Sequence, residues 1–372
     1  MSPKTVFPIL MLFLVSGLGG CLWDKGSPEP TKSTDDGKNS DQGTEATDGT
    51  DTGKSTDEPD TEPASLEPET VTVPNTGLSE YAPISDLKLA VGGSDGQIAV
   101  SPGAEDELPQ GPASFDVDSS GNVYILDSVS STIKSFQAGG TPIGKINLVK
   151  DRAPFLDFSL APSGEMAVYQ AATDLVFVLP KGANQISQAT PVRSLSSVQD
   201  FSGVFYNNDS QLFARDSGQM TYKVSSSGVA APYLALLSMR NQMFFRTNLA
   251  PTSGVLYASK QLQASGYQGN AEKKYEITMD RPILSVTYID SDSQGRPYLR
   301  VETDDSATVE QVKVKRYVMR VGSKPEDWTK PIEIPSDVYA LPFRDIRIGA
   351  DGSVYAMLVY QDRIEVKKWA AK

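Results

Sequence analysis

A chain of 372 residues with 39% hydrophobic side chains has enough apolar material for a large folded body, and its 25 prolines and 30 glycines favour many turns over long helices. It contains no histidine and a single cysteine, which excludes Ser-His-Asp and Cys-His nucleophiles, histidine-ligated metal and any internal disulfide. Most of the net charge of −13 lies in residues 24–75, where 14 Asp or Glu face 4 Lys; the rest is nearly balanced and lacks the basic excess that nucleic acid requires.

The chain opens with Lys4, then the apolar run Val6 to Val15, then the small and flexible Ser16 to Gly20. This is the three-part layout of a secretory signal peptide. The apolar run is about ten residues, half of the roughly 20 that a spanning helix needs. Its end, Leu18-Gly19-Gly20-Cys21, resembles the bacterial lipoprotein signal, in which a leucine and small residues precede an obligatory cysteine. The resemblance implies that the Cys21 thiol receives a diacylglyceryl group, that the chain is cut between Gly20 and Cys21, and that the new amino terminus can be acylated. Two or three chains, at about 0.8 kcal/mol per buried methylene, anchor a protein stably in a membrane. Leu22 follows the cysteine where an acidic residue would signal inner-membrane retention, so a lipid-anchored envelope protein, on the outer rather than the inner membrane, is the expectation.

Residues 22–78 have no apolar periodicity and consist largely of Asp, Glu, Thr, Ser, Gly, Pro and Lys. Such a segment cannot bury enough surface to offset its chain entropy and is expected to be a disordered, self-repelling tether. Its DxDG-like fragments read as solvated charge rather than calcium ligands.

Residues 79–372 are organised by a repeat. Phe115 onward reads as two alternating apolar strands around a Ser-Gly turn, then a third strand and a further glycine turn. Related hairpins recur at Phe158–Tyr169, Val204–Arg215, Leu249–Ala258, Val286–Val301 and Ile346–Leu358, a spacing of about 46 residues. Six units of three or four strands without a convincing helix predict an all-β fold, a six-bladed β-propeller. The last unit ends near Trp369 after three strands, and a strand within Leu87 to Val100 is expected to complete it and close the ring. In the first unit Val117, Asp118 with Gly121, Val123 and Tyr124, Asp127, and Ile133 with Phe136 resemble an NHL-type propeller repeat. That resemblance implies the fold and leaves the ligand open, because such propellers bind proteins, nucleic acids or small molecules and some are hydrolases or lyases.

Candidate sites are few. Asp116, Asp118, Ser120, Gly121 and Asp127 share the spacing of an EF-hand loop, but Val123 to Leu126 must be a strand and no helices flank it, so a turn is expected. Asp290, Asp292 and Gly295 begin the same pattern, which fails because Val301 stands where a carboxylate is needed. Lys313, Lys315 and Arg320 could form an anion-binding stripe and read better as protective charges on an exposed strand. Tyr124, Tyr169, Phe213, Tyr257, Tyr298 and Tyr355 recur at equivalent places and read as packing between blades. Cys21, for lipidation, is the one site residue assigned; no catalytic residue, cofactor or metal is assigned. The expected function is a non-catalytic binding or assembly scaffold with a protein partner in the envelope, held to the membrane through Cys21. The alternative is a carboxylate-dependent hydrolase or lyase, with calcium assistance possible for the chemistry.

Overall fold

The computed structural model describes residues 68–372, apart from 74–76, 106, 149–153, 193–194, 231, 234, 239, 241–242, 251–252, 260–271, 307–312 and 372. The described residues form six antiparallel-based sheets that follow one another along the chain, the blades of a six-bladed propeller. Blade 1 comprises Ser114–Val117, Val123–Asp127, Thr132–Phe136 and Pro142–Asn147; blade 2, Phe155–Leu160, Met166–Gln170, Leu175–Leu179 and Thr190–Val192. Blade 3 comprises Phe201–Tyr206, Leu212–Asp216, Thr221–Ser225 and Gly228–Val229. In blade 5 the strands are Ile283–Ser291, Pro297–Asp304, Val314–Arg320 and Ile332–Ile334. In each of these the strands pair in chain order from the channel outward.

Blades 4 and 6 each take in a piece of the N-terminal chain. Blade 4 comprises Leu236–Leu237, Phe244–Ala250, Ser253–Ser259 and Lys273–Ile277, and Glu69–Thr72 adds a fifth, parallel strand at its outer edge. Blade 6 comprises Ile346–Ile348, Val354–Val359 and Arg363–Ala371, completed by Tyr81–Val91 and the short Gln97–Ile98. Between those two additions Ser79 bonds Trp328 and Lys330 at the edge of blade 5. One N-terminal strap therefore crosses the outer rim of three consecutive blades.

The sequence placed Glu69–Thr72 in the tether; the structure pairs it, because Val71 and Val73 reach the apolar layer between blades 4 and 5. The closing strand expected within Leu87 to Val100 runs from Tyr81 to Val91.

The middle strands of each blade are covered on both faces, which is why they read as nearly unbroken apolar runs. Val354–Val359 is buried along its whole length. Its alternate residues enter different layers: Tyr355, Met357 and Val359 face blade 1, and Val354, Ala356 and Leu358 face blade 5. Burying one such side chain stabilises the fold by roughly 1.5–3 kcal/mol.

The first turn of a blade needs a residue in the left-handed region, where a Cβ clashes. Gly121, Gly164, Gly295 and Gly352 occupy it with φ of 79° to 90°, and Ser210 takes the place in blade 3 at φ 56°. The glycine spacing in the sequence is the spacing of these turns.

The fourth unit differs from its expected register. The Leu249–Ala258 hairpin joins the second and third strands of blade 4, whereas the equivalent hairpins elsewhere join the first and second. The true inner strand is the two-residue Leu236–Leu237, too short to show any periodicity. Tyr257 therefore stands one strand further out than its expected equivalents.

Candidate functional site

The central channel is where a propeller concentrates side chains from all its blades, and here it is filled by arginines. Arg344 lies just before the inner strand of blade 6 and reaches across to blades 2 and 3. It donates to the Asp157 carboxylate at 2.5 Å, the Phe158 carbonyl at 2.6 Å and the Val204 carbonyl at 3.0 Å. Arg347 donates to the carbonyls of Phe115 at 2.7 Å and Phe158 at 3.1 Å, and its Nε lies 3.3 Å from Asp116. Arg215, from blade 3, bonds the carbonyls of Leu237 and Ile289 in blades 4 and 5. Arg240, in the turn after Leu237, bonds the carbonyls of Ser291 and Ile348, the last residues of two inner strands, and so closes the opposite end. The Phe205 ring has the guanidinium of Arg215 4.0 Å from its centroid and that of Arg344 4.4 Å away, both within cation–π range.

Burial makes these charges costly. Desolvation pulls Arg344 down to about 9, with Arg347 beside it acting in the same direction against the pull of Asp157. Burial also lowers Arg215, and it raises Asp157 despite the attraction of Arg344 and Arg347. The Nε atoms of Arg215 and Arg344 are buried without a partner. The carbonyl dipoles of strands from all six blades, together with Asp116 and Asp157, hold this column in place.

Above it, at the end where the inner strands begin, Phe343 stacks on Phe201 at 5.9 Å and Phe201 stacks on Tyr169 at 3.8 Å. Leu341 is 72% exposed, Phe343 40%, and Leu108 68% on a neighbouring loop whose Gly111 adjoins Ala340. Separately, a cleft of about 270 Å³ lies between blades 2 and 3, lined by Glu165, Tyr206, Gln211 and Val224 among others.

The residues singled out from the sequence fall into structural roles. Asp118 caps its own turn, accepting from the amides of Ser120 and Asn122. Asp116 accepts from the amide of Leu160 and faces Arg347. Asp127, fully buried, pairs with Lys134 at 3.0 Å and accepts from Ser130 and the amide of Ala99. Asp292 caps the equivalent turn of blade 5 and pairs with Arg296. Among the described residues no group of three metal-ligating side chains converges.

In place of the exposed strand expected there, Val314–Arg320 is an interior strand, paired with a neighbour on each side. Lys313 and Lys315 lie near Asp305, Arg316 pairs with Asp345, and buried Arg320 donates to the carbonyls of Glu326 and Asp327. Of the recurrent aromatics, Tyr169, Phe213, Tyr298 and Tyr355 are buried; Tyr124 and Tyr257 are partly so. Cys21 lies outside the described residues.

None of the channel arginines stands out as a site residue from pattern alone, because their partners are mostly backbone carbonyls that leave no motif. The one available signal was the pair Arg344 and Arg347 flanking the start of a strand otherwise apolar on both faces.

No protein-family model matches the sequence, and no curated protein matches it. Among solved structures, an exported protein of Bacteroides fragilis is 10% identical with a TM-score of 0.46, covering 82% of this chain and 99% of its own. Virginiamycin B lyase from Staphylococcus aureus is 10% identical with a TM-score of 0.43, covering 77% and 99%. The PQQ-bound aldose sugar dehydrogenase of Streptomyces coelicolor is 13% identical with a TM-score of 0.42, covering 70% and 94%.

Proposed function

We propose that this β-propeller is a non-catalytic docking scaffold of the bacterial envelope, held to a membrane by lipid on Cys21. The observation that carries the reading is the contrast between the channel and its mouth. The channel carboxylates Asp116 and Asp157 are bonded to arginines and amides rather than facing open space. The mouth presents Leu108, Leu341 and Phe343 to solvent beside a three-ring aromatic stack. Exposed apolar groups beside an aromatic stack favour a protein partner. The address rests on the sequence, with its short apolar run and Leu-Gly-Gly-Cys. Among the described residues no helix is long and apolar enough to cross a membrane.

The test is affinity recovery from gently solubilised envelopes with the full chain, alongside Leu341→Asp. A partner recovered by the wild type and lost with Leu341→Asp supports docking at the mouth. Recovery of nothing above a control lipoprotein, or recovery indifferent to the substitution, overturns it.

A further inference from the structure

Resting on that docking reading, we infer that the seat of Arg344 is a guanidinium socket, which Arg344 fills from within the chain and which an arginine of a basic, apolar peptide segment on the partner takes over. The seat has the composition that recognises a planar guanidinium. The Asp157 carboxylate has no solvent exposure, the carbonyls of Phe158 and Val204 add two acceptors, and the Phe205 ring supplies a face 4.4 Å from the guanidinium carbon. Fork-shaped donors and ring stacking suit arginine and not the single ammonium of lysine.

The present occupant leaves one donor unsatisfied and shares one of its acceptors. Its Nε has no partner, and Arg347 carries a second positive charge toward the same Phe158 carbonyl. It is also borne on the connection between Ile334 and Ile346, which has no strand of its own and whose Leu341 and Phe343 point to solvent. The Arg344 amide bonds the Ala113 carbonyl beside blade 1, so withdrawal gives up a contested contact by swinging the side chain outward while its backbone stays paired.

Charge identifies the replacement. Glu105 and Glu107 lie on the loop that carries Leu108, Asp200 precedes Phe201, and Asp337 lies on the Arg344 connection; all four are exposed. None has a lysine or arginine partner among the described residues. A segment with an arginine between apolar residues would place its cation in the socket, its apolar groups on Phe343 and Leu341, and any further basic residues toward this acidic rim.

The probes are the peptides Ac-Leu-Arg-Phe-NH2, its lysine counterpart and its citrulline counterpart, the last being neutral with nearly the same shape. Each is titrated calorimetrically into the full chain, into Arg344→Ala and into Asp157→Asn. Arg344→Ala should bind the arginine peptide at least tenfold more tightly than the wild type, since the internal competitor is gone. Asp157→Asn should bind it at least tenfold more weakly than the wild type. Equal affinity of wild type and Arg344→Ala, or equal binding of the arginine and citrulline peptides, overturns the socket. If neither variant folds, the wild type decides: discrimination of arginine over both counterparts upholds the inference, and its absence overturns it. A partner recovered equally by wild type and Arg344→Ala would leave the scaffold standing without the socket. Peptide binding without any recovered partner would do the reverse.

Discussion

Single residues show where the repeat is enforced and where it is relaxed. Gly352 has φ 80°, and a Cβ there would lie 2.7 Å from the Tyr298 hydroxyl, which is itself bonded to Tyr81 and the Gly352 carbonyl. Gly352→Ala should cost about 2–3 kcal/mol, combining left-handed strain with that clash. Ser210 bears the same strain without glycine's freedom, so Ser210→Gly should stabilise by about 1 kcal/mol. Urea denaturation of both variants checks the pair, and the opposite signs are the diagnostic. Lys134 is a different case: its ammonium, almost wholly buried, bonds Asp127 and the carbonyls of Ser94 and Gln97, tying the strap to blade 1. Lys134→Met should cost about 3–5 kcal/mol, because it strands a buried carboxylate. Adding Asp127→Asn should restore part of that loss, and a double variant no better than the single would refute the account. Asp127 was visible in the sequence as part of a repeat, but its partner was not, since nothing local marks Lys134 as buried.

At the level of elements, most hairpins were legible because alternating side chains and a glycine turn are local signals. Blade 4 was misregistered by one strand because its inner strand has two residues, and a period of two needs more than that to be seen. Glu69–Thr72 is illegible for a related reason: four residues after a long polar stretch carry only Val71 as an apolar anchor, with Val73 just beyond them. The strap makes a graded prediction. A chain beginning at residue 68 should melt as the full chain does. One beginning at residue 77 loses the parallel strand on blade 4 and should melt a few degrees lower, each kcal/mol being worth about 2–4 °C at this size. One beginning at residue 92 lacks the fourth strand of blade 6, including buried Leu87 and Leu89, and should fail to fold. Circular dichroism melts of the three chains test this order, and a stable fold from residue 92 would show that closure does not depend on the strap.

For the whole molecule, the two ends of the sequence act at different levels. If Cys21 carries the anchor, Cys21→Ser should leave an uncleaved, unlipidated precursor, since a hydroxyl cannot replace the thiol in the transfer; membrane fractionation and intact mass give the readout. A Cys21→Ser protein that still carries lipid would remove the anchor from the proposal. The sequence by itself determined the all-β class, the six-fold repeat and the closing role of an N-terminal strand, and it supplied the expected address. These are written in periodicity, turn residues and contiguous motifs, each held within a few tens of residues. Only the tertiary structure decided what fills the channel. Arg347 meets the Phe115 carbonyl across 232 positions and Arg344 meets Asp157 across 187, so ring closure alone brings them together. Their acceptors are mostly backbone carbonyls, which every residue possesses, and an acceptor common to all residues leaves no trace in the order of side chains.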